Sequence, residues 1–247
     1  MTDALIPDAD LVARFEGDLA PLVADGARLG IAVSGGPDSL ALLLLAAAAR
    51  PGQVEAATVD HGLRPESRQE AGFVHGICEQ LGVPHATLNA DVGRGSSLQA
   101  RARAARYEAL GEWAIRQDLH AVATGHHVED QAETLLMRMA RGAGLGGLVG
   151  VRYTRPLEQG VTLIRPVLGW RRAELAAIVA AAGITPVDDP ANRDPRHDRS
   201  RFRGMLAEAD WADAERLATS ARWLADAEEA LEWAVVPLLE QLSLIHI

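Results

Sequence analysis

The sequence predicts an α/β protein with a doubly wound, mostly parallel sheet, helices on both faces, and a helical linker after it. Four short runs rich in small and β-branched residues, at 28–33, 53–59, 84–88 and 120–124, have the length of buried strands. Each is followed by a stretch with helical spacing, and strands that alternate with helices are typical of parallel sheets. In addition, a Ser-Gly-Gly turn joins the first strand directly to an apolar helix over 40–49.

The remaining elements follow from the same kind of pattern. Residues 1–27 are predicted to contain a helix that leads into the first strand, and residues 161–165 a further strand. Helices are predicted where apolar residues recur at helical spacing, at 66–81, 96–117, 129–141 and 171–182. The glycine-rich stretch 142–150 (GAGLGGLVG) is predicted to be a loop, and so is the Pro-, Asp- and Asn-rich stretch 183–198.

A change of composition near residue 206 predicts a domain boundary. Residues 206–240 carry two arginines and nine carboxylates, in an acidic amphipathic helix. We therefore expect a catalytic domain over 1–206, and over 207–247 an acidic helical linker or the start of a truncated second domain. The last six residues, 242–247 (LSLIHI), are either an authentic apolar terminus or non-native, because a common sequencing adapter would encode them if it were translated.

The charge distribution predicts an anionic partner for one part of the chain. The net charge is −10, which argues against nucleic acid as a general partner. Residues 138–203 nevertheless contain 12 arginines against six carboxylates, a local balance of +6. This segment is either a binding surface for a localised anion or an ordinary solvated arginine-rich face.

Composition also excludes several classes of protein. All 24 basic residues are arginine, so a P-loop lysine and a Schiff-base lysine are both excluded. The single cysteine, Cys78, excludes a disulfide framework and a Cys-x-x-Cys site. Acidic residues near the N-terminus argue against a signal peptide, and the apolar run over 40–49 is too short to span a bilayer, so we expect a cytoplasmic protein with no membrane partner.

The turn after the first strand has the features of a phosphate-binding loop. Its residues are Ser34, Gly35, Gly36, Pro37, Asp38 and Ser39. The glycines allow close approach of a ligand, and the helix N-terminus directs N–H groups and a positive dipole at it. A carboxylate such as Asp38 repels phosphate unless a divalent cation lies between them. The alternative is an ordinary strand-to-helix turn with a capping residue.

Two other predicted strands also end in ionisable residues. Asp60 and His61 follow the second strand, and the stretch 125–130 follows the fourth. Ligands of parallel sheets bind beyond the carboxyl ends of the strands. We therefore expect these side chains to converge with the phosphate loop on one edge of the sheet.

The motifs together resemble a known family. The phosphate loop resembles the SGGxDS loop of the PP-loop ATP pyrophosphatase superfamily, which has an adenine-nucleotide α-hydrolase-like fold. Five further stretches complete the resemblance over residues 28–206: DHGLR at 60–64, ARAARY at 102–107, GHHxxDQAET at 125–134, RGxGxxGL at 141–148 and DDPxNxD at 188–194. With these, the chain is similar to tRNA(Ile)-lysidine synthases.

The resemblance implies a ligase that uses ATP and Mg²⁺. Members of this family join lysine to C2 of the wobble cytidine (position 34) of tRNA(Ile) with a CAU anticodon. The cytidine is first adenylated with release of pyrophosphate, and lysine then displaces AMP to give lysidine. The implied partners are that tRNA and free lysine, and a homodimer is compatible with the resemblance.

Roles can be carried over to individual residues of the predicted site. The loop Ser34 to Ser39, with Asp60 and His61, would bind ATP, and Asp38 would hold Mg²⁺. Arg103, or Arg106 on the same helix face, would neutralise pyrophosphate, unless both belong to a solvated face. Lysine carries two ammonium groups, so Asp130 and Glu133 would bind it; as an alternative they merely favour a helix N-terminus. His126 or His127 would accept the proton of the attacking amine.

The arginine-rich segment supplies the predicted tRNA contacts. The set comprises Arg141, Arg152, Arg155, Arg165, Arg171, Arg172, Asn192, Arg199 and Arg203. The family usually has Arg-Asn where this chain has Arg199-Ser200, which weakens the assignment at that point.

Three rival functions differ in their partners. Thiolation of tRNA cytidine requires a cysteine-bound iron–sulfur cluster, which one cysteine cannot supply. The second rival is another PP-loop ATP pyrophosphatase that adenylates a small molecule or a different tRNA. A small-molecule acceptor would not explain the basic segment 138–203, whereas a different tRNA would bind to it. A nucleotide-binding regulatory domain would bind ATP without releasing pyrophosphate.

Overall fold

The computed structural model describes residues 5–62, 67–93, 98–157, 160–187 and 198–245. The strands are β1 Leu29–Ala32, β2 Val54–Asp60, β3 His85–Asn89, β4 Ala121–Ala123, β5 Thr154–Pro156 and β6 Thr162–Ile164. The helices are α1 Ala9–Leu19, α2 Pro37–Ala49, α3 Ser67–Leu81, α4 Leu98–Arg116, α5 Val128–Ala140, α6 Leu145–Leu148, α7 Arg172–Ala181, α8 Asp198–Glu208 and α9 Ala214–Ile245.

The chain divides into two compact units. The sheet unit comprises Met1–His127 and Tyr153–Asp189, and the helical unit comprises Val128–Arg152 and Pro190–Ile247. The predicted boundary near residue 206 stays a prediction. Within the described residues, no helix combines the length and apolar character needed to cross a bilayer.

The six strands form one sheet in the order β3-β2-β1-β4-β6-β5. All neighbouring pairs are parallel except β5 with β6, which is antiparallel with Arg155 opposite Leu163. The chain leaves β1 toward β2 and returns to the other side of β1 as β4. The topological switch point therefore lies between β1 and β4, where ligands of doubly wound sheets bind. The prediction of a mostly parallel, doubly wound sheet is confirmed.

Helices cover both faces of the sheet. On one face, α2 is buried from Ser39 to Ala47, which explains why its sequence is apolar on all sides. On the other face, Leu110 and Trp113 of α4 pack against Val122 and Leu163 in a second core cluster. Because a Cβ atom on Gly30 would lie 2.6 Å from the Trp113 ring, glycine in β1 is what lets this indole reach the strand.

Two short elements differ from the sequence prediction. The stretch 142–150 was predicted to be a loop throughout, which is wrong at Leu145–Leu148, where α6 forms. Arg138 of α5 stabilises the end of α6 and the residues after it, because it donates hydrogen bonds to the carbonyls of Gly147 (2.6 Å) and Gly150 (3.0 Å). Strand β5 was not predicted, since three residues that include a proline carry too little pattern.

The helical unit contains the predicted acidic helix. That helix, α9, begins at Ala214 and runs to Ile245, with Pro237 in its interior. In the same unit, Gln131 of α5 exchanges two hydrogen bonds with the backbone of Val151, which fixes the segment after α6 to α5. Helix α8 was not predicted from the sequence.

Candidate functional site

The phosphate loop is held in shape by its two serines. The Ser39 hydroxyl accepts a hydrogen bond from the Ser34 N–H (3.1 Å), donates to the Gly36 carbonyl (3.0 Å) and lies 3.2 Å from the Ser34 hydroxyl. Gly35 has φ +82°, a conformation that a side chain would strain. The loop is therefore ordered before any ligand binds.

The same loop is closed from outside by Val187. The Val187 N–H donates to the Gly35 carbonyl (2.9 Å), and a Cβ atom on Gly35 would lie 3.0 Å from a Val187 methyl. Pro37 occupies the first turn of α2, whose unbonded N–H groups face the loop. This arrangement suits an anion, because the N–H groups and the positive end of the dipole point to one place.

Asp38 is the carboxylate of this loop, and its two oxygens differ. Oδ2 lies 3.5 Å from Nε2 of His127. Oδ1 is buried and has no hydrogen-bond partner among the described residues. A buried carboxylate oxygen beside a phosphate loop fits Mg²⁺, which is commonly held by one or two carboxylates together with substrate phosphates. The described residues contain no group of three His, Cys, Asp or Glu that could hold a metal without such phosphates.

The end of β4 packs directly against the start of α2. A Cβ atom on Gly125 would lie 2.8 Å from the Asp38 carbonyl oxygen, so only glycine permits this approach. The next two residues are oriented differently. The His127 side chain is 1% exposed and faces Asp38, whereas His126 is only partly buried, with Nδ1 2.9 Å from the Thr124 hydroxyl.

The end of β2 supplies Asp60 and His61 on the other side of β1. Oδ1 of Asp60 accepts a hydrogen bond from the Gly62 N–H (2.8 Å), which fixes the turn after the strand. Burial lowers the pKa of His61, Arg106 lowers it further, and Asp60 opposes both. Asp60 and His61 lie at the same edge of the sheet as the phosphate loop and the end of β4, as expected. The reason is that β2, β1 and β4 are parallel neighbours whose carboxyl ends share this edge.

The two candidate arginines of α4 have different surroundings. Arg106 is partly buried, and its charge acts on His61. Arg103 lies over the Tyr107 ring, 5.1 Å from the centroid, and lines a cavity of about 660 Å³ together with Arg155 of β5. Tyr107 was not predicted to belong to a site, although it follows Arg103 by four residues, a spacing that brings two side chains together on one helix face.

In the helical unit, Asp130 and Glu133 of α5 are bonded to two arginines of α8. Arg199 donates to Asp130 Oδ1 and to Glu133 Oε2, both at 2.8 Å, and Arg203 donates to Glu133 Oε1 at 2.8 Å. The Glu133 side chain is 1% exposed and that of Asp130 is 12% exposed. The two carboxylates predicted to bind lysine and two of the arginines predicted to bind tRNA thus form one charge cluster.

The other predicted tRNA contacts are dispersed. In the helical unit, Arg152 is paired with Glu228 and Arg141 is exposed. In the sheet unit, the backbone N–H of Arg171 donates to Glu174 at the start of α7, and Arg172 is the first residue of that helix. Asn192 lies outside the described residues.

Comparisons with known proteins agree with the motifs. The sequence profile of the PP-loop domain family matches residues 9–209. The chain is 52% identical over 225 residues to a tRNA(Ile)-lysidine synthase of Novosphingobium aromaticivorans, covering 90% of this chain and 69% of that protein. It is 49% identical to the enzyme of that name from Zymomonas mobilis, covering 83% and 64% of the two chains, and 47% identical to that from Ruegeria pomeroyi, covering 83% and 50%.

Among solved structures, the U34-tRNA thiolase NcsA from Methanococcus maripaludis, determined with its 4Fe-4S cluster, superposes with a TM-score of 0.71. The match covers 87% of this chain and 78% of the thiolase, at 16% identity, and so concerns the fold alone. The chain spans between half and about two thirds of the length of the three curated relatives named above. On the profile match and on 52% identity, the chain belongs to the tRNA(Ile)-lysidine synthase family of PP-loop domain proteins.

Proposed function

We propose that this chain ligates lysine to C2 of the wobble cytidine of tRNA(Ile) with a CAU anticodon, at the expense of ATP. The observation that carries the proposal is the phosphate loop, ordered by Ser34 and Ser39 and placed at the switch point with the unsatisfied Oδ1 of Asp38. The relatives are named for this reaction, which identifies the acceptor more narrowly than the loop does.

In the proposed adenylation, the triphosphate of ATP lies on the loop N–H groups. The cytidine O2 attacks the α-phosphorus, the bond from that phosphorus to the oxygen bridging the β-phosphorus breaks, and pyrophosphate leaves. Mg²⁺, held by Asp38, would neutralise charge on the departing pyrophosphate. Of the two α4 arginines, we favour Arg106 as the cation that faces nucleotide, because it neighbours His61 at the end of β2. His61, whose pKa is lowered by burial and by Arg106, would contact ATP as a hydrogen-bonding group.

In the second step, the lysine ε-amine attacks C2, the bond from C2 to the adenylated oxygen breaks, and AMP leaves. The attacking nitrogen must lose a proton to a base. We favour His126 as that base, because the His127 side chain is almost completely buried against Asp38 and serves to orient that carboxylate. The His126 imidazole is hydrogen-bonded to Thr124 and is partly exposed, so it can accept the proton and then release it to solvent.

Lysine recognition is proposed at Asp130. Of the two carboxylates in the charge cluster, Asp130 is the more exposed, and Glu133 accepts hydrogen bonds from two arginines. Glu133 therefore anchors α8, and an ammonium group of lysine would approach Asp130 from its exposed side. A cytoplasmic location and free lysine as a partner belong to the same proposal, and the homodimer stays a prediction.

The proposal is tested by incorporation of radiolabelled lysine into a tRNA(Ile) transcript with a CAU anticodon. Label should enter that RNA with release of pyrophosphate, and should not enter a matched transcript in which the wobble cytidine is replaced by adenosine. Asp38→Ala should lose labelling while it still binds an ATP analogue, and the exposed Asp10→Ala should behave as wild type. Bound ATP analogue without any labelling by the wild-type chain would refute the proposal.

The rival tRNA reactions are less well supported. Cys78 is buried, and burial raises the pKa of its thiol to about 12, so it is neither a cluster ligand nor a nucleophile near neutral pH. A different RNA or a small-molecule acceptor would be supported if pyrophosphate release depended on that acceptor and did not depend on lysine.

A further inference from the structure

Three arginines from three separate elements of the sheet unit surround Tyr107. Arg155 of β5 lies over the ring, 4.6 Å from its centroid, and Arg103 of α4 lies 5.1 Å from it. Arg165, which follows β6 and is 3% exposed, lies close enough to the Tyr107 side chain for the tyrosine to act on its pKa. Tyr107 itself is buried in the core between α4 and the sheet. Tyr107 thus neighbours three arginines that are far apart in the chain.

This arrangement concentrates positive charge. Burial lowers the pKa of Arg165, and Arg103 and Arg155 lower it further, while Tyr107 opposes the shift. Among the described residues, neither Arg103 nor Arg155 is ion-paired with a carboxylate. The described lining of the adjacent cavity contains one carboxylate, Glu108. Two neighbouring guanidinium groups without carboxylate partners, as in Arg103 and Arg155, are stabilised when an anion binds to both.

The cavity beside the cluster has the size of a ligand site. Its volume is about 660 Å³, within the usual range for small-molecule pockets. Arg103 of α4 and Arg155 of β5 both line it, and much of the remaining lining is apolar, with Ala100, Ala104 and Leu157. Guanidinium groups beside small apolar residues suit a nucleotide, whose phosphate is charged and whose sugar and base have apolar faces.

The position in the sheet separates this cavity from the phosphate loop. The loop follows β1, whereas Arg155 is on β5, three strands away in the order β1-β4-β6-β5. At about 4.8 Å per strand this is roughly 14 Å. Asp60 and His61, predicted to bind ATP, lie on the opposite side of β1, at the end of β2. ATP would therefore extend from β1 toward β2, and the cavity lies on the side left for the acceptor.

We propose that the cavity binds a phosphodiester of the RNA substrate, with Arg103 and Arg155 contacting the phosphate and Arg165 and Tyr107 positioning them. The proposal rests on the proposed function for the presence of RNA. It also moves Arg103 from pyrophosphate neutralisation to RNA binding.

The test measures binding rather than turnover. Affinity of the tRNA(Ile) transcript for wild type, Arg155→Gln and Arg103→Gln is followed by fluorescence anisotropy over a series of salt concentrations. Losing one phosphate contact should reduce the slope of log affinity against log salt by about 0.7–0.9. Between 1 M and 0.1 M salt, the variant should therefore gain about five- to eightfold less affinity for RNA than wild type does. Arg155→Lys should retain most of the slope. Arg116→Gln, which removes an exposed arginine farther along α4, should match wild type.

A parallel titration with an ATP analogue distinguishes the two sources of phosphate. Unchanged analogue affinity with a reduced RNA slope supports the proposal. Equal RNA binding by all four variants overturns it, and so does a loss confined to the ATP analogue. Failure of the proposed function has a different signature: the wild-type chain binds RNA with the slope differences above but incorporates no lysine. Thermal unfolding shows which variants are folded, and Arg103→Gln serves alone if Arg155→Gln is not.

Discussion

The buried ion cluster of the helical unit can be tested by removing one charge without changing shape. In Glu133→Gln, the side chain keeps its volume but loses the charge that binds Arg199 and Arg203. Removing one partner of a fully buried ion pair costs about 3–5 kcal/mol. Here the arginines are 36% and 29% exposed, so water can solvate them in part, and we expect about 2–3 kcal/mol.

The assay is equilibrium urea unfolding followed by circular dichroism. Glu112→Gln is the matched control, because it breaks the Arg116–Glu112 pair, in which both side chains are more than half exposed. That pair should contribute about 0–1 kcal/mol. Added salt should leave the Glu133→Gln difference largely unchanged, because buried pairs are screened little. A loss for Glu133→Gln no larger than for Glu112→Gln would refute the view that Glu133 anchors α8.

Three further predictions concern the sheet unit. Gly125→Ala should destabilise the protein by about 1–3 kcal/mol and weaken ATP binding, because its Cβ would meet the Asp38 backbone; Gly72→Ala, whose Cβ meets nothing within 4 Å, should not. The pKa of His61 in the folded protein lies below its ordinary value, so just below pH 6.5 the unfolded state binds more protons than the folded state does. The free energy of unfolding should therefore fall as the pH decreases through this range. In His61→Gln, urea unfolding should show a smaller fall. Cys78 should resist alkylation at pH 8 in the folded protein and react once urea unfolds it; rapid labelling of folded protein would contradict its burial.

Much of the fold followed from local sequence. The strands β1 to β4 and the helices between them were predicted within three residues, apart from ends that lie outside the described residues, because buried strands and amphipathic helices carry their own periodicity. The phosphate loop was predicted for the same reason, since glycines, serines and a helix start are adjacent in the chain. The common edge of Asp38, Asp60 and His127 followed from strand order, which alternation with helices largely dictates.

What the sequence by itself determined is therefore the phosphate loop and the sheet that presents it, because both depend on neighbours in the chain. Only the tertiary structure decided which charges meet. Arg199 and Glu133 are 66 residues apart, and no local pattern could show that they would bind each other. The contrast between Arg103 and Arg106, three residues apart on α4, likewise depended on Tyr107 and on β5, a strand too short to predict. Pairing of distant side chains is set by packing, and packing is not encoded in any single stretch of the chain.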